Sequence, residues 1–163
     1  MASFGATASV TAPAPLDDAE MFGWRAYVET VADLTHAMES DLAPTGLTLG
    51  DYQVLVYLSE ADARSMRMCD LAARLQLSPS GLTRRLDGLV RAGFVDRRPS
   101  VEDRRVMLAV LTAIGRDQME SAYPVHLNSV RNRLIDRLDK SDVDALGRIF
   151  STIQSALRDG SGE

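Results

Sequence analysis

The chain is 163 residues long, 45% hydrophobic, and carries a formal net charge of −5 with a single cysteine. That length and apolar content suit one domain with a buried core, and the lone cysteine excludes an internal disulfide and fits a reducing compartment. No apolar run approaches the ~18 residues of a membrane span, and the first fifteen residues lack the basic and apolar regions of a secretion signal, so a cytoplasmic protein without membrane contact is expected.

The opening stretch MASFGATASVTAPAP is small and proline-containing, and residues 1–16 are expected to form a flexible arm. From Asp17 to Leu42, Met21, Trp24, Val28, Val31, Met38 and Leu42 recur at helical spacing. That predicts one long helix whose apolar face wants a partner surface. Ala43 to Leu47 reads as a loop, and Thr48 with Asp51 as a capping-box start for a second helix ending at Ser59.

The most informative stretch runs from Met68 to Leu111. Cys69, Leu71, Ala72 and Leu75 form the apolar stripe of a short helix, with Cys69 placed among the core residues. A few residues later Ser78 is a good N-cap and Pro79 sits where a missing N–H costs nothing. Leu82, Leu86, Leu89 and Val90 then gather on one face of a helix, opposite Ser80, Arg84, Asp87 and Arg91, and Gly93 ends it. Two helices joined so tightly cross steeply, as in a helix-turn-helix. Phe94 to Arg98 predicts a strand, Pro99 to Arg104 a loop, and Val106 to Leu111 a returning strand, together a β-wing.

Beyond the wing, Thr112 is a natural N-cap for a helix to about Leu138, with Pro124 expected to kink or restart it. Ser141 with Asp144 is expected to cap a last helix carrying Val143, Leu146, Ile149, Phe150, Ile153 and Leu157, whose apolar face has no obvious cover within one chain. Residues 159–163 read as a flexible tail.

The run LSPSGLTRRLDGLVRAGFVDRRPSVEDRRVMLAVLT resembles the winged helix-turn-helix core of the MarR family of bacterial transcription regulators. Asp103 and Arg105 match that family's wing-tip Asp-x-Arg, followed by the Leu-Thr pair Leu111 and Thr112. The resemblance covers roughly Asp17 to Arg158. It implies a mainly α fold with a small β-wing: one domain over 17–158, with 17–42 and 113–158 as dimerisation helices and 48–111 as the DNA-binding core. It further implies a homodimer bound to double-stranded DNA, repression as the family default, and small-molecule effectors, often aromatic or phenolic. A two-fold dimer sets its recognition helices about one DNA turn, roughly 34 Å, apart, so the operator should be a pseudo-palindrome.

Charge distribution supports a nucleic-acid partner despite the acidic total. Between Arg74 and Arg105 eight arginines face four carboxylates, a local +4, which leaves −9 for the rest of a chain whose sum is −5. Only Lys140 is lysine, so the basic face is guanidinium, suited to forked phosphate and guanine contacts. Ser78, Ser80, Thr83 and Arg84 lie at the N-terminal half of the second helix, where free N–H groups favour phosphate. Arg84 is assigned to base reading, Arg85 and Arg91 to phosphates or salt bridges, and Arg104 to either. Asp103 is expected to orient Arg105, whose side chain would enter the minor groove.

Other features carry less. Trp24, Tyr27 and Tyr52 read as core or dimer packing, yet with Arg67 they are the candidates for an effector pocket. A redox role for Cys69 has no support at its position. His36 and His126 have no metal-ligand spacing, no cofactor is implied, and no hydrolase elbow or phosphate-cradling glycine loop occurs, so an enzyme is not expected. The competing reading is a protein-interaction module in which the winged helix is a scaffold and the acidic body the binding surface.

Overall fold

The computed structural model describes residues 13–160, so most of the 1–16 arm and the end of the 159–163 tail lie outside the described residues. The order is α1 (Asp18–Leu42), α2 (Leu49–Glu60), β1 (Ser65–Arg67), α3 (Met68–Arg74), α4 (Pro79–Arg91), β2 (Val95–Pro99), β3 (Met107–Leu111), α5 (Ala113–Arg133) and α6 (Lys140–Asp159). This is the expected winged helix: mainly α, with a small sheet. The chain divides into two compact units, one ending at Asp33 and one beginning at Leu34, so the division falls inside α1.

In the first unit a reciprocal cap starts α1. The Glu20 N–H donates to Asp17 Oδ1 at 2.8 Å, and the Asp17 N–H to Glu20 Oε2 at 2.9 Å. Phe22, Trp24 and Val28 are exposed along this stretch.

In the second unit the capping box of α2 forms as its sequence predicts. Thr48 Oγ1 accepts the Asp51 N–H at 3.0 Å and Asp51 Oδ2 accepts the Thr48 N–H at 3.3 Å. The core gathers where α2, α3, α4 and the sheet meet, around Leu55, Leu58, Leu71, Leu82, Leu86 and Val95. The sheet has the order β1-β3-β2, all antiparallel, with Met66 and Arg97 on either side of Ala109. Strand β1 was not legible in the sequence, because three residues are too short to display alternation.

Helix α4 is defined at both ends by its own residues. Ser78 Oγ accepts the Gly81 N–H at 3.1 Å, and Pro79 opens the first turn. At the far end the Phe94 N–H reaches the Leu89 carbonyl and the Gly93 N–H the Val90 carbonyl, the paired bonds of a Schellman motif, with Gly93 at φ +75°. Immediately beyond, Thr112 knots the base of the wing to the start of α5. Its Oγ1 lies 2.7 Å from the Gly93 carbonyl oxygen and 3.1 Å from that of Phe94, and accepts the Gly115 N–H at 2.9 Å.

Several local expectations are corrected. Helix α5 does not restart at Pro124, which lies inside it on an exposed position. The helix ends instead at Leu134, whose φ of −127° and ψ of −68° are not helical. The cap of α6 is Asp139 rather than Ser141. Its Oδ1 accepts the Asp142 N–H at 2.9 Å and the Ser141 hydroxyl at 2.8 Å, which holds its carboxyl below the usual range, while Asp144 pairs with Lys140. Helix α6 runs through Asp159, into the expected tail. Cys69 is exposed rather than in the core, because α3 turns Leu71 and Ala72 inward and leaves Cys69 on the outer face.

Candidate DNA-binding surface

Helix α4 carries the predicted recognition face at its N-terminal half. Ser80 is exposed beside the Ser78 cap, their hydroxyls 3.2 Å apart, and the Thr83 hydroxyl donates back to the Pro79 carbonyl at 2.9 Å. Both hydroxyl oxygens keep acceptor capacity toward solvent. Arg84 is exposed, and its side chain makes no hydrogen bond or ion pair among the described residues.

The wing tip is ordered by its own backbone. The Ser100 N–H bonds the Val106 carbonyl at 2.8 Å and the Val106 N–H the Asp103 carbonyl at 2.9 Å. Asp103 Oδ1 accepts the backbone N–H of Arg105 at 2.9 Å. Asp103 therefore hydrogen-bonds Arg105 through its backbone, and shapes the turn that presents the Arg105 side chain. Arg104 and Arg105 both face solvent, and their side chains have no protein partner among the described residues.

The eight arginines of the basic segment divide into two sets. Arg74 lies over the Tyr57 ring at 4.0 Å and pairs with Glu60 at 2.9 Å. Arg85 turns back across Gly50 to Thr48 Oγ1 and Asp51 Oδ1, and Arg98 pairs with Asp96 within its own strand. Arg97 donates from Nη2 to the Thr83 carbonyl oxygen at 2.8 Å and forms an ion pair through Nη1 with Asp87 Oδ1 at 2.8 Å, which ties β2 to α4. The remaining four are Arg84, Arg91, Arg104 and Arg105, of which Arg91 makes only a bond from Nε to the Asp87 carbonyl of its own helix. Arg97 was not singled out from the sequence. Period-two alternation from Val95, which is fully buried, places Arg97 on the same inward face and could have found it.

Two of the effector-pocket residues belong to the first unit and two to the second. Trp24 and Tyr27 form a tilted ring pair in the first unit, centroids 6.0 Å apart, and both are exposed. Tyr52, in the second unit, is committed to the core against His126, ring centroids 4.7 Å apart, and burial pushes its hydroxyl pKa up and that of His126 down. Arg67 ends β1 on an exposed position. Sequence reasoning missed a different feature: an open groove of about 710 Å³ lined by Ser40, Asp41, Pro124, Asn128, Arg133 and Arg137. In it Asp41 takes two bonds from Arg133, at 2.8 and 2.9 Å, and one from the Ser129 hydroxyl at 2.7 Å. The Arg133 and Ser129 hydrogen bonds hold the Asp41 pKa down to about 2.

A capped recognition helix, a steep short helix before it and an arginine-tipped wing define a winged helix-turn-helix domain of the kind used by transcriptional regulators. Residues 45–106 match the MarR family. The chain is 32% identical over 123 residues to the HTH-type transcriptional repressor YetL of Bacillus subtilis, covering 74% of each chain. Among solved structures it resembles AbsC, a MarR family transcriptional regulator from Streptomyces coelicolor, with 39% identity, a TM-score of 0.85, and coverage of 90% of this chain and 99% of that one. It also resembles Sco3205, another MarR family regulator from Streptomyces coelicolor solved in complex with DNA, with 29% identity, a TM-score of 0.85, and coverage of 90% and 92%. The chain belongs to the MarR family of transcriptional regulators.

Proposed function

We propose that the protein is a cytoplasmic, homodimeric, sequence-specific DNA-binding repressor that acts on a pseudo-palindromic operator, with residues 17–158 working as one domain. The observation that carries this reading is the division of the arginines. The structure-holding pairs leave Arg84 on the recognition helix and Arg104 with Arg105 at the wing tip exposed and uncommitted. Arg84 reads a base edge in the major groove, and Arg105 enters the flanking minor groove, where narrow width strengthens its attraction. Ser78, Ser80, Thr83 and Arg91 position the helix on phosphates, and Asp103 holds the tip in shape. Arg85 serves the fold through Asp51.

Dimerisation is supported by the apolar residues left exposed on the first and last helices, among them Phe22, Trp24 and Val28 on α1 and Ile149 and Ile153 on α6. No helix among the described residues is long and apolar enough to cross a membrane. The exposed Trp24–Tyr27 pair supports a small aromatic effector. Such a ligand lowers DNA affinity only by its preference for a state in which the two DNA-binding lobes are wrongly spaced, typically about 1–3 kcal/mol of coupling.

The test is fluorescence anisotropy with duplexes tiling the DNA upstream of the protein's own gene, at several salt concentrations and then with phenolic acids added. Competitor-resistant binding of a dimer to one palindromic segment is the expected result. Equal, weak binding to every duplex would refute specific reading and favour a protein-interaction role for the same scaffold.

A further inference from the structure

We propose that Arg97 is a positioning residue for DNA recognition, a clamp that fixes the wing against the recognition helix; this rests on the DNA-reading function proposed above. The two elements that carry the reading arginines are separate in sequence, Arg84 on α4 and Arg105 beyond β2, and each would need a defined position relative to the other to reach adjacent grooves at once. Arg97 is a side chain that joins them directly. Its guanidinium spans two acceptors one helical turn apart on α4: the Thr83 carbonyl, adjacent to Arg84, and the Asp87 carboxylate.

The geometry suits arginine and no other residue. One nitrogen of the planar fork donates to a backbone carbonyl while the other pairs with a carboxylate, each at 2.8 Å, which the single nitrogen of a lysine ammonium does not reproduce. Nε is buried without a hydrogen-bond partner, so the guanidinium lies against the protein rather than turned out toward a ligand. The Thr83 carbonyl already accepts within the helix, and a second, charged donor there fixes the height of the Thr83–Arg84 turn relative to β2. Since β2 is paired residue by residue with β3, Arg97 opposite Ala109 and Pro99 opposite Met107, a helix set by Arg97 is also set relative to the loop between those strands, which holds Arg104 and Arg105.

A phosphate-binding arginine and a positioning arginine respond differently to substitution, and Asp87 separates them. Three variants, Arg97→Met, Arg97→Lys and Asp87→Asn, are compared with wild type by anisotropy on the specific duplex and on a scrambled one across a salt series. Arg97→Met and Asp87→Asn are each expected to weaken specific binding about tenfold or more, the loss of roughly one base contact's discrimination. Scrambled-duplex binding should show no matching loss, the salt slope should stay at the wild-type value, and Arg97→Lys should fall between. Asp87→Asn is decisive, since removing a negative charge beside DNA strengthens binding if only electrostatics operates.

An Asp87→Asn protein that binds the specific duplex as tightly as wild type overturns the clamp. So does an Arg97→Lys protein indistinguishable from wild type, or an Arg97→Met protein whose salt slope drops by about one per subunit, the mark of a lost phosphate contact. If wild type itself prefers no duplex, the DNA-reading function fails separately. The clamp is then judged by amide hydrogen exchange: Arg97→Met and Asp87→Asn should speed exchange in α4 and β2 together while leaving α5 unchanged. Unchanged exchange in α4 and β2 overturns it.

Discussion

Replacing Gly115 by alanine tests whether the knot at the base of the wing holds the second unit together. A Cβ at this position would stand 2.0 Å from the Phe94 carbonyl oxygen and 2.7 Å from its carbon. Those atoms are backbone, so no side chain can swing aside. Relief to an ordinary carbon–oxygen contact of about 3.3 Å requires the start of α5 to withdraw by roughly 1.3 Å. That movement pulls Thr112 off its partners: the hydroxyl contacts to the carbonyls of Gly93 and Phe94 and the Thr112 N–H bond to Phe94 at 3.1 Å. The hydroxyl has one proton shared between its two carbonyls, so two bonds are lost, and at about 1 kcal/mol each the loss is roughly 2 kcal/mol, offset by up to about 1 kcal/mol of helix propensity gained by alanine. The expected net cost is about 1 kcal/mol. It is measured by urea unfolding at one fixed protein concentration, as a lowered midpoint with an unchanged slope. Gly88→Ala is the matched control, since nothing lies within 4 Å of its added Cβ, and it should gain about 0.5–1 kcal/mol. A Gly115→Ala protein as stable as the Gly88→Ala protein would refute the reasoning.

Gly93→Ala places a side chain at φ +75° and should cost about 1–2 kcal/mol in the same assay; a neutral result would mean that the Schellman turn relaxes freely. Arg84→Ala should relax sequence preference at one or two operator positions and cost about 1–3 kcal/mol of binding, while Arg105→Ala should weaken binding more evenly; equal, sequence-independent losses from both would contradict base reading by Arg84. Asp41 has its pKa held down from 3.8 to about 2, so its ion pair favours the folded state above pH 3.8 and that contribution is lost as pH falls toward 2. The melting-temperature gap between wild type and Asp41→Asn should therefore be widest near neutrality and close over that window; a gap constant with pH would contradict it.

What was legible in the sequence was whatever the chain writes locally. The Thr48/Asp51 box, the Ser78–Pro79 start and the Gly93 stop are each complete within a few residues, and each was found where it was read. Where nearby signals of similar strength compete, sequence does not decide between them. Asp139 and Ser141 are both capping residues two positions apart, and Asp139 prevails because it accepts from both the Asp142 N–H and the Ser141 hydroxyl. Pro124 lies inside one continuous helix, because packing along the rest of α5 outweighs the single bond it removes, and packing is not written locally in sequence. The Asp41–Ser129–Arg133 cluster joins residues 88 and 92 positions apart, a separation for which one sequence holds no local signal.

The basic segment shows the same limit in electrostatic form, and it fixes a number that binding should obey. Eight arginines per chain read as one charged face in the sequence, and a dimer engaging all sixteen on phosphate would give a salt slope of about −14 on B-form DNA. Four of the eight are instead held by Glu60, Asp51, Asp87 and Asp96, with Tyr57 stacked on one of them. Releasing such a pair on DNA would exchange one carboxylate partner for another anion and leave an aspartate or glutamate beside the phosphates, so little is gained by it. The four per subunit without an acidic partner set a ceiling of about −7 on what this surface contributes, shallower by whatever share of Arg84 is spent on a base edge. A measured slope between about −4 and −7 is expected from anisotropy between 50 and 300 mM salt. A slope near −14 would mean that the ion pairs open on DNA, and that the division between structural and reading arginines does not survive binding.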